Sequence, residues 1–365
     1  MKRSFLFALM LILLAGCAES EKQQVTRDEH FNSLFQIDSG GVTGADGAIS
    51  IALPDGRSVF LMGDSFLGEV VDNSRDPNSY MMRNSFILLN EEQNKTTALY
   101  QGTYDKPSSF LSPPDTTARD TWYWPGHGFA RDSVLHLFMS EFYKGKKGQW
   151  GFRFYETDYL RLSYPGLEVL SNQNYPFTDV TNVHWGHAVV DENPYVYIYG
   201  SHVDRREGLM AEASAHVMRA EVMENGYLGN FRFFDGSNWV ADPEKSRAMK
   251  GISASVSEQF SVFKYNDRYV LLTQQRGMRE GAIYTYVSDQ PVGPWGNETM
   301  VYETTEQKQD TTMITYNAMA HPQYIEDGKL LVSYNVNSLN PPDIMEDARK
   351  YRPRFLRVPM DMILE

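Results

Sequence analysis

Short runs of Tyr, Phe, Val, Ile and Leu, separated by Gly, Asn, Asp and Pro, make up most of the chain from residue 31 onwards. The 3.6-residue periodicity of an amphipathic helix is almost absent from this region. Runs of this length and composition, punctuated by turn residues, are typical of β-strands. The pattern therefore predicts an all-β fold.

The predicted strands group into a unit that recurs degenerately about every 60 to 80 residues. Each unit has an opening segment of small or polar residues, a turn, an apolar strand and an outer pair of strands. Five such units predict a five-bladed β-propeller that forms one domain over residues 31–365. A pair of packed β-sandwiches is the alternative, but it gives no reason for the recurring opening segment.

A polar residue marks the same place in every unit. The opening segments carry Asp46, His127, His187, Glu258 and His321. The ends of the strands that follow carry Asp64, Glu141, His202, Gln274 and Asn335. Because the innermost strands of a propeller line its channel, we expect both sets to surround the channel mouth and to form the binding site. The alternative is that these polar groups only hydrate a wet channel.

The segment Thr43–Gly68 predicts a β-hairpin with one carboxylate on each arm, joined by the turn Pro54-Asp55-Gly56-Arg57. Asp46 precedes the first strand and Asp64 follows the second, so antiparallel pairing should place them side by side. Two close carboxylates repel, which can separate them into the acid and the base that a glycosidase needs. Alternatively, each aspartate only caps a turn.

Aromatic and histidine groups add further candidates. In the cluster Trp122-Tyr123-Trp124 we expect Trp124 to stack on a sugar and its neighbours to pack in the core. Histidines on the axis could hold a metal ion, but hydrogen-bonding roles are favoured because a zinc site needs three or four converging ligands. We predict no cofactor, although the paired aspartates could bind a calcium ion in the channel.

The first seventeen residues predict a lipoprotein signal peptide. Lys2 and Arg3 precede an apolar run that is too short to span a bilayer. Leu14-Ala15-Gly16-Cys17 then resembles a bacterial lipobox, which implies cleavage before Cys17 and lipidation of that residue. Residues 18–30 are polar and predict a flexible tether. We therefore expect a lipid-anchored protein of the cell envelope, in the outer membrane and exposed at the surface.

Composition narrows the partners further. Cys17 is the only cysteine, so a lipidated protein would have no disulfide and no cysteine nucleophile. The formal net charge of −13 becomes −15 when Lys2 and Arg3 are removed, and no basic cluster is visible. Nucleic acid is therefore not expected as a partner. Membrane contact is expected only through the lipid.

Two motifs resemble a family of bacterial five-bladed propellers that includes the endo-D-arabinanases. They are Thr43-Gly44-Ala45-Asp46-Gly47 with Met62-Gly63-Asp64-Ser65-Phe66, and Tyr316-Asn317-Ala318-Met319-Ala320-His321-Pro322 with Leu331-Val332-Ser333-Tyr334-Asn335-Val336-Asn337. Two first-blade aspartates are implicated in catalysis in those arabinanases, and they fall on Asp46 and Asp64. The resemblance implies a glycoside hydrolase of a furanose-rich glycan.

Two functions therefore remain open at this stage. The first is a glycoside hydrolase that uses Asp46 and Asp64, with Glu141 and Glu258 as alternates for the acid. The second is a glycan-binding lipoprotein that keeps the channel mouth but lacks turnover. In both cases the partner is a polysaccharide or an oligosaccharide.

Overall fold

The computed structural model describes residues 24–114, 120–148, 150–175, 177–203, 211–277 and 280–365. Strands dominate these ranges and the helices are short, which confirms the predicted all-β class. Within the described ranges, no helix is both long and apolar enough to cross a membrane. Cys17 and the predicted signal peptide lie outside the described residues.

A four-stranded sheet, which we call sheet I, and three small sheets form the first part of the fold. In chain order the elements are β1 (Thr26–Arg27), α1 (Glu29–Phe35), β2 (Val42–Ala45), β3 (Ile49–Ala52), β4 (Ser58–Met62), β5 (Ser65–Leu67), β6 (Val70–Val71), β7 (Ser74–Arg75), β8 (Tyr80–Met82), β9 (Ser85–Leu89), β10 (Thr96–Leu99), β11 (Gln101–Thr103) and β12 (Lys106–Ser108). Sheet I has the order β3-β4-β9-β10, while β2-β5-β8, β6-β7 and β11-β12 form the small sheets.

Sheets II and III are antiparallel and follow the chain order. Their elements are β13 (Thr121–Arg131), β14 (Val134–Lys144), β15 (Phe152–Ser163), β16 (Val169–Tyr175), α2 (Phe177–Thr181), β17 (Val183–Glu192), β18 (Tyr195–Val203), β19 (Ala213–Val222), β20 (Leu228–Phe234) and β21 (Trp239–Val240). Sheet II comprises β13 to β16, and sheet III comprises β17 to β21. A 3₁₀ turn, Pro243–Lys245, follows.

Sheets IV and V complete the chain. Their elements are β22 (Ser261–Tyr265), β23 (Arg268–Gln274), β24 (Ala282–Ser288), β25 (Gly296–Glu303), α3 (Glu306–Gln309), β26 (Met313–Glu326), β27 (Lys329–Ser338), α4 (Asp343–Glu346), the 3₁₀ helix Ala348–Tyr351, β28 (Arg354–Pro359) and α5 (Met360–Leu364). Sheet IV comprises β22 to β25. Sheet V has the order β26-β27-β28-β1, so it ends on the first strand of the chain.

The five main sheets form a closed ring. Their first strands β3, β13, β17, β22 and β26 each pack against the next, and β26 packs against β3. Alternate side chains of a strand face opposite sides of its sheet. Leu137 of β14 therefore joins an apolar cluster with sheet I, while Phe138 joins one with sheet III. A further cluster containing Phe60 and Phe355 joins sheet V to sheet I.

The N-terminal segment fastens sheet V to sheet I. Thr26 of β1 pairs with Arg357 of β28. Asp28 accepts a hydrogen bond from the Phe31 amide (2.8 Å), which caps α1, and it also accepts one from Arg357 Nε (2.6 Å). The Asn32 side chain accepts a hydrogen bond from the amide of β28 residue 355 (3.1 Å). The predicted tether over residues 18–30 is therefore too long, because residues from Thr26 onwards belong to the fold.

Three of the innermost strands share one irregularity. The pairing shifts between Pro125 and Gly128 in β13, between Trp185 and Ala188 in β17, and between Tyr316 and Met319 in β26. Such bulges re-aim the side chains on either side of them. In β17 the bulge contains Gly186 at φ 90°, where an added Cβ would lie 2.3 Å from Phe138. Only glycine fits that position.

Candidate active site

Asp46 and Asp64 lie side by side at the open end of the predicted hairpin. Asp46 follows β2, Asp64 follows β4, and the Gly63 amide donates a hydrogen bond to the Asp46 carbonyl (2.9 Å). An added Cβ at Gly63 would lie 2.3 Å from Asp46 Oδ1, so any other residue there would displace the Asp46 carboxyl group. Antiparallel pairing of β3 with β4 thus brings the two carboxyl groups together, as the sequence predicts.

Two tyrosines hold the Asp46 carboxyl group. The Tyr316 hydroxyl donates a hydrogen bond to Oδ2 (2.7 Å), and in turn accepts one from Asn337 Nδ2 (3.3 Å). The Tyr351 hydroxyl lies beside the same carboxyl group and donates a hydrogen bond to the Asp64 carbonyl (3.2 Å). Burial, followed by the negative charge of Asp64, raises the pKa of Asp46 to about 7 despite these hydrogen bonds. At neutral pH Asp46 can therefore either hold or release a proton.

Asp64 has a more polar environment. Arg83 Nη1 lies 3.2 Å from Oδ2, and Trp124 Nε1 donates a hydrogen bond to Oδ1 (2.8 Å). Burial outweighs the Arg83 guanidinium and the Trp124 hydrogen bond, so the pKa of Asp64 is raised above its ordinary value. Its side chain keeps 20% of its surface exposed, so a ligand can reach it. The two aspartates thus differ in their partners: hydroxyl groups surround one, and a cation and an indole the other.

Glu258 belongs to a second charged group. Its carboxylate contacts His184 Nδ1, lies 3.8 Å from His187 Nε2 and pairs through Oε2 with Arg276 Nη1 (3.0 Å). Burial alone would raise the pKa of Glu258, but His184, His187 and Arg276 hold it well below its usual range. These partners favour the ionised carboxylate, which cannot donate a proton. They argue against Glu258 as the alternate acid.

One carboxylate partner precedes each bulge. Trp124 of β13 contacts Asp64, His184 of β17 contacts Glu258, and Tyr316 of β26 contacts Asp46. Trp124 and His184 stand one residue before the last paired residue ahead of the bulge, and Tyr316 is that residue in β26. Three sheets therefore each place a carboxylate partner within one residue of the bulge, and we call the region around these three partners the channel mouth.

Glu141 lies apart from this mouth, which corrects the expectation that it could serve as the acid beside Asp46. It pairs with Tyr123 in sheet II, and the next residue, Trp124, faces the opposite side of that sheet. The Glu141 side chain borders a cavity of about 280 Å³ together with Glu156 and Asp158. Tyr123 hydrogen-bonds Asp158 there.

His127 lines the channel wall rather than the mouth. Its Nδ1 accepts a hydrogen bond from the Val189 amide (3.0 Å), so its Nε2 carries the proton and donates to the Ser50 carbonyl (3.3 Å). Burial lowers the pKa of His127 to about 4, which keeps the ring neutral. Both ring nitrogens are used within the protein. The predicted substrate contact from His127 is therefore not supported.

His321 lies between sheets V and I, which contradicts its predicted place in the channel mouth. It is fully buried against Phe60 and Phe355. Its ring nitrogens hydrogen-bond the hydroxyls of Ser50 (2.7 Å) and Ser333 (2.9 Å). Burial lowers the pKa of His321 to about 3. It is a structural histidine, because no ring atom remains for a ligand.

The predicted residues at the ends of the second strands have different outcomes. Gln274 and Asn335 are buried and donate to Thr315 Oγ1 (2.9 Å) and to the Asn317 carbonyl (3.3 Å), so they support the wall and do not offer a free surface to substrate. His202 is half-buried beside His216, with ring centroids 5.5 Å apart. A substrate contact from His202 stays a prediction.

Two groups of side chains have the chemistry of metal ligands. His184, His187 and Glu258 form one, and Glu141, Glu156 and Asp158 form the other; within each group, one ligand atom per residue lies within 4.8 Å of the others. Protein contacts already occupy part of each group, since Arg276 pairs with the charge of Glu258 and the Tyr123 hydroxyl donates a hydrogen bond to Asp158. Calcium at Asp46 and Asp64 would compete with the bonds from Tyr316 and Arg83.

One family model matches residues 28–360, and it describes a domain of unknown function, DUF5005. The chain belongs to the DUF5005 family. Its sequence matches none of the curated proteins with which it was compared.

Solved structures resemble the DUF5005 domain over most of its length. A Bacteroides ovatus protein that is provisionally described as a hydrolase has a TM-score of 0.74 and 20% identity, and the match covers 93% of this chain and 92% of that one. A xylan β-1,4-xylosidase from Bacillus halodurans has a TM-score of 0.52 and 12% identity, over 88% and 54%. A β-1,2-mannobiose phosphorylase from Listeria innocua has a TM-score of 0.52 and 11% identity, over 94% and 98%. At these identities the likeness shows the fold alone.

Sequence reasoning missed several residues of the DUF5005 site. Tyr351 comes from a 3₁₀ helix, and Arg83 from the loop after β8, and neither lies in a recognisable motif. Arg276 follows β23 and also lies in no recognisable motif. Tyr316 and His184 lie within two residues of a Gly or Asn that interrupts a strand pattern, at Asn317 and Gly186, and this is a recognisable signal. Polar residues before such interruptions could have been marked as candidates.

Proposed function

We propose that this DUF5005 protein is a glycoside hydrolase that acts on a furanose-rich, arabinan-like glycan at the channel mouth. The paired carboxyl groups of Asp46 and Asp64, held in contrasting environments, carry the proposal. A glycosidase needs one carboxyl group to supply a proton and one to supply negative charge. Asp46, with its raised pKa, suits the first role, and Asp64, beside Arg83, suits the second.

The proposed reaction uses the two aspartates in sequence. Asp46 donates its proton to the glycosidic oxygen as the bond from that oxygen to the anomeric carbon breaks. Asp64 faces the positive charge that develops on the sugar. It either attacks the anomeric carbon, giving a glycosyl-enzyme that a water molecule deprotonated by Asp46 then hydrolyses, or it takes a proton from a water molecule that attacks this carbon. Arg83 and Trp124 orient the Asp64 carboxylate and favour its ionised form against the effect of burial. Tyr316 and Tyr351 hold Asp46 in place as it gains and loses the proton.

The ring of sheets supports the interpretation of the fold as a five-bladed β-propeller. Five sheets follow one another along the chain, and an apolar cluster fills each space between neighbours, including the space between the last and the first. A channel mouth at the centre of such a ring is a common place for a binding site. The xylosidase and the mannobiose phosphorylase with similar folds act on glycosides, according to their names.

The proposed location is the outer surface of the cell envelope. The lipobox ending at Cys17 supports a lipid anchor, and several acyl chains give stable membrane attachment. The resemblance of the aspartate motifs to the endo-D-arabinanases supports an arabinan-like substrate. An anchored hydrolase of this kind would act on glycan outside the cell.

A screen of the purified protein against arabinan, arabinoxylan, xylan and mannan tests the proposal. We expect sugar release from at least one of them, with loss of about 100-fold or more in Asp46→Asn and in Asp64→Asn. Asp55→Asn is the matched control, because Asp55 lies at the turn of the same hairpin and its partners are Arg57 and Tyr164 rather than residues of the mouth. Binding without release by the parent would instead favour the non-catalytic glycan-binding function. Full activity of both site variants would refute the catalytic roles.

A further inference from the structure

An aromatic strip runs outward from the channel mouth along the end of sheet II at which β14 ends and β15 begins. It consists of Trp124, Phe142, Phe152 and Trp150. The Trp124 ring centroid lies 4.6 Å from that of Phe142 and 4.8 Å from that of Phe152, and Phe152 lies 6.4 Å from Trp150. Along the strip the rings change from buried at Phe142 to 39% exposed at Trp150. The strip therefore offers ring surface at increasing distance from the mouth.

The strip is continuous with the candidate active site. Trp124, its innermost member, donates its indole N–H to Asp64 (2.8 Å). On the other side Phe154, packed on Phe142 at 5.5 Å, places its ring 3.6 Å from that of His184, which contacts Glu258. The aromatic residues thus border the mouth between its two groups of carboxylates. A ligand that reaches Asp64 from this side must cross them.

Part of the aromatic cluster is explained by packing alone. Trp122 is buried and has the Arg83 guanidinium 4.4 Å above its ring, and Tyr123 is buried against sheet I. The partly exposed rings of Phe152 and Trp150 are not explained in this way. Polar ligands with apolar faces, such as sugar rings, bury those faces well against aromatic rings while their hydroxyl groups stay in water.

We infer that the strip binds consecutive sugar units of a glycan chain, so the ligand of this site is an oligosaccharide or polysaccharide rather than a single glycoside. This inference rests on the proposed function, because it extends the same site. Trp124 contacts the unit beside Asp64, and Phe152 and Trp150 contact units farther along the chain. Affinity should therefore grow with chain length until the chain reaches Trp150.

Replacing Trp150 with Ala tests the inference. With arabino-, xylo- and manno-oligosaccharides from disaccharide to hexasaccharide, we expect kcat/KM to fall about tenfold for the longest chains and less than about twofold for the disaccharide. Leu170→Ala is the control. Leu170 is an exposed apolar residue of the same sheet, but it lies at the opposite end from Phe152. That variant should match the parent at every length.

Binding measurements separate this inference from the proposed hydrolysis. Affinity electrophoresis in the four polysaccharides, with Asp46→Asn and with Asp46→Asn/Trp150→Ala, reports binding without turnover. Weaker retardation of the double variant supports the strip even if the parent cleaves nothing. Cleavage by the parent with the same length dependence in Trp150→Ala overturns the strip but keeps the hydrolase. The absence of binding to any of the four polysaccharides also overturns the strip.

Discussion

The electrostatic cost of Asp46 can be measured by replacing it with Asn. Burial and the charge of Asp64 raise its pKa from 3.8 to about 7 in the folded protein. A raised folded pKa stabilises the fold fully below pH 3.8, and that contribution is lost as the pH rises through about 7. Asn has a similar size, can accept the hydrogen bond from Tyr316 and carries no charge at any pH. The Asp46→Asn variant should therefore keep its stability as the pH rises through this range.

The magnitude follows from proton linkage. Above about pH 5 the carboxyl group is ionised in the unfolded chain, whereas in the folded protein it ionises only near pH 7. The two pH units in between correspond to about 3 kcal/mol of lost stability, at about 1.4 kcal/mol per unit. For a domain of this size about 1 kcal/mol corresponds to roughly 1.5 °C in Tm. Relative to the parent, Asp46→Asn should thus gain about 4 °C between about pH 5 and pH 8.5.

Differential scanning calorimetry of parent and variant at these two pH values measures this change. Asp55→Asn serves as the control, since the Asp55 carboxylate is paired with Arg57. Burial opposes the hydrogen bonds to Asp55, but the hydrogen bonds prevail and the pKa of Asp55 is lowered rather than raised. Over the same range the control should show no gain. If the difference in Tm between Asp46→Asn and the parent is the same at both pH values, the raised pKa is wrong. A gain in Tm together with loss of turnover would identify Asp46 as a functional residue that costs stability.

Three further predictions concern other parts of the molecule. Arg83→Met should move the acid limb of the pH profile of kcat/KM upward and lower kcat/KM near pH 6 by about tenfold, because Asp64 loses its cation; an unchanged profile would contradict the role of Arg83. Asp28→Ala should lower the free energy of unfolding in urea by about 3 kcal/mol, because it removes the α1 cap and the partner of Arg357. A variant as stable as the parent would contradict the proposed role of Asp28 in attaching the N-terminal segment to sheet V. Cys17→Ser should leave the protein unprocessed or release it from membranes, and a cleaved variant that still fractionates with membranes would exclude the lipid anchor.

The predictable parts of the structure are those set by local pairing. The closeness of Asp46 and Asp64 follows from one hairpin, whose turn residues can be recognised in the sequence. Tyr316 contacts Asp46 from 270 residues away along the chain, so no local sequence pattern could predict this contact. His321 was misplaced for a different reason. It follows a bulge that shifts the alternation of faces, and a two-residue period read along β26 cannot show that shift.

The bulges also bear on how this family can change over evolution. In β13, β17 and β26 the residues before the bulge contact the carboxylates, and the residues after it line the channel wall and the contacts between sheets. A substitution at Trp124 or His184 therefore alters the chemistry of the mouth without entering the apolar clusters that hold the ring together. The side chains at the mouth can therefore change while the packing between the sheets, which holds the ring, stays the same.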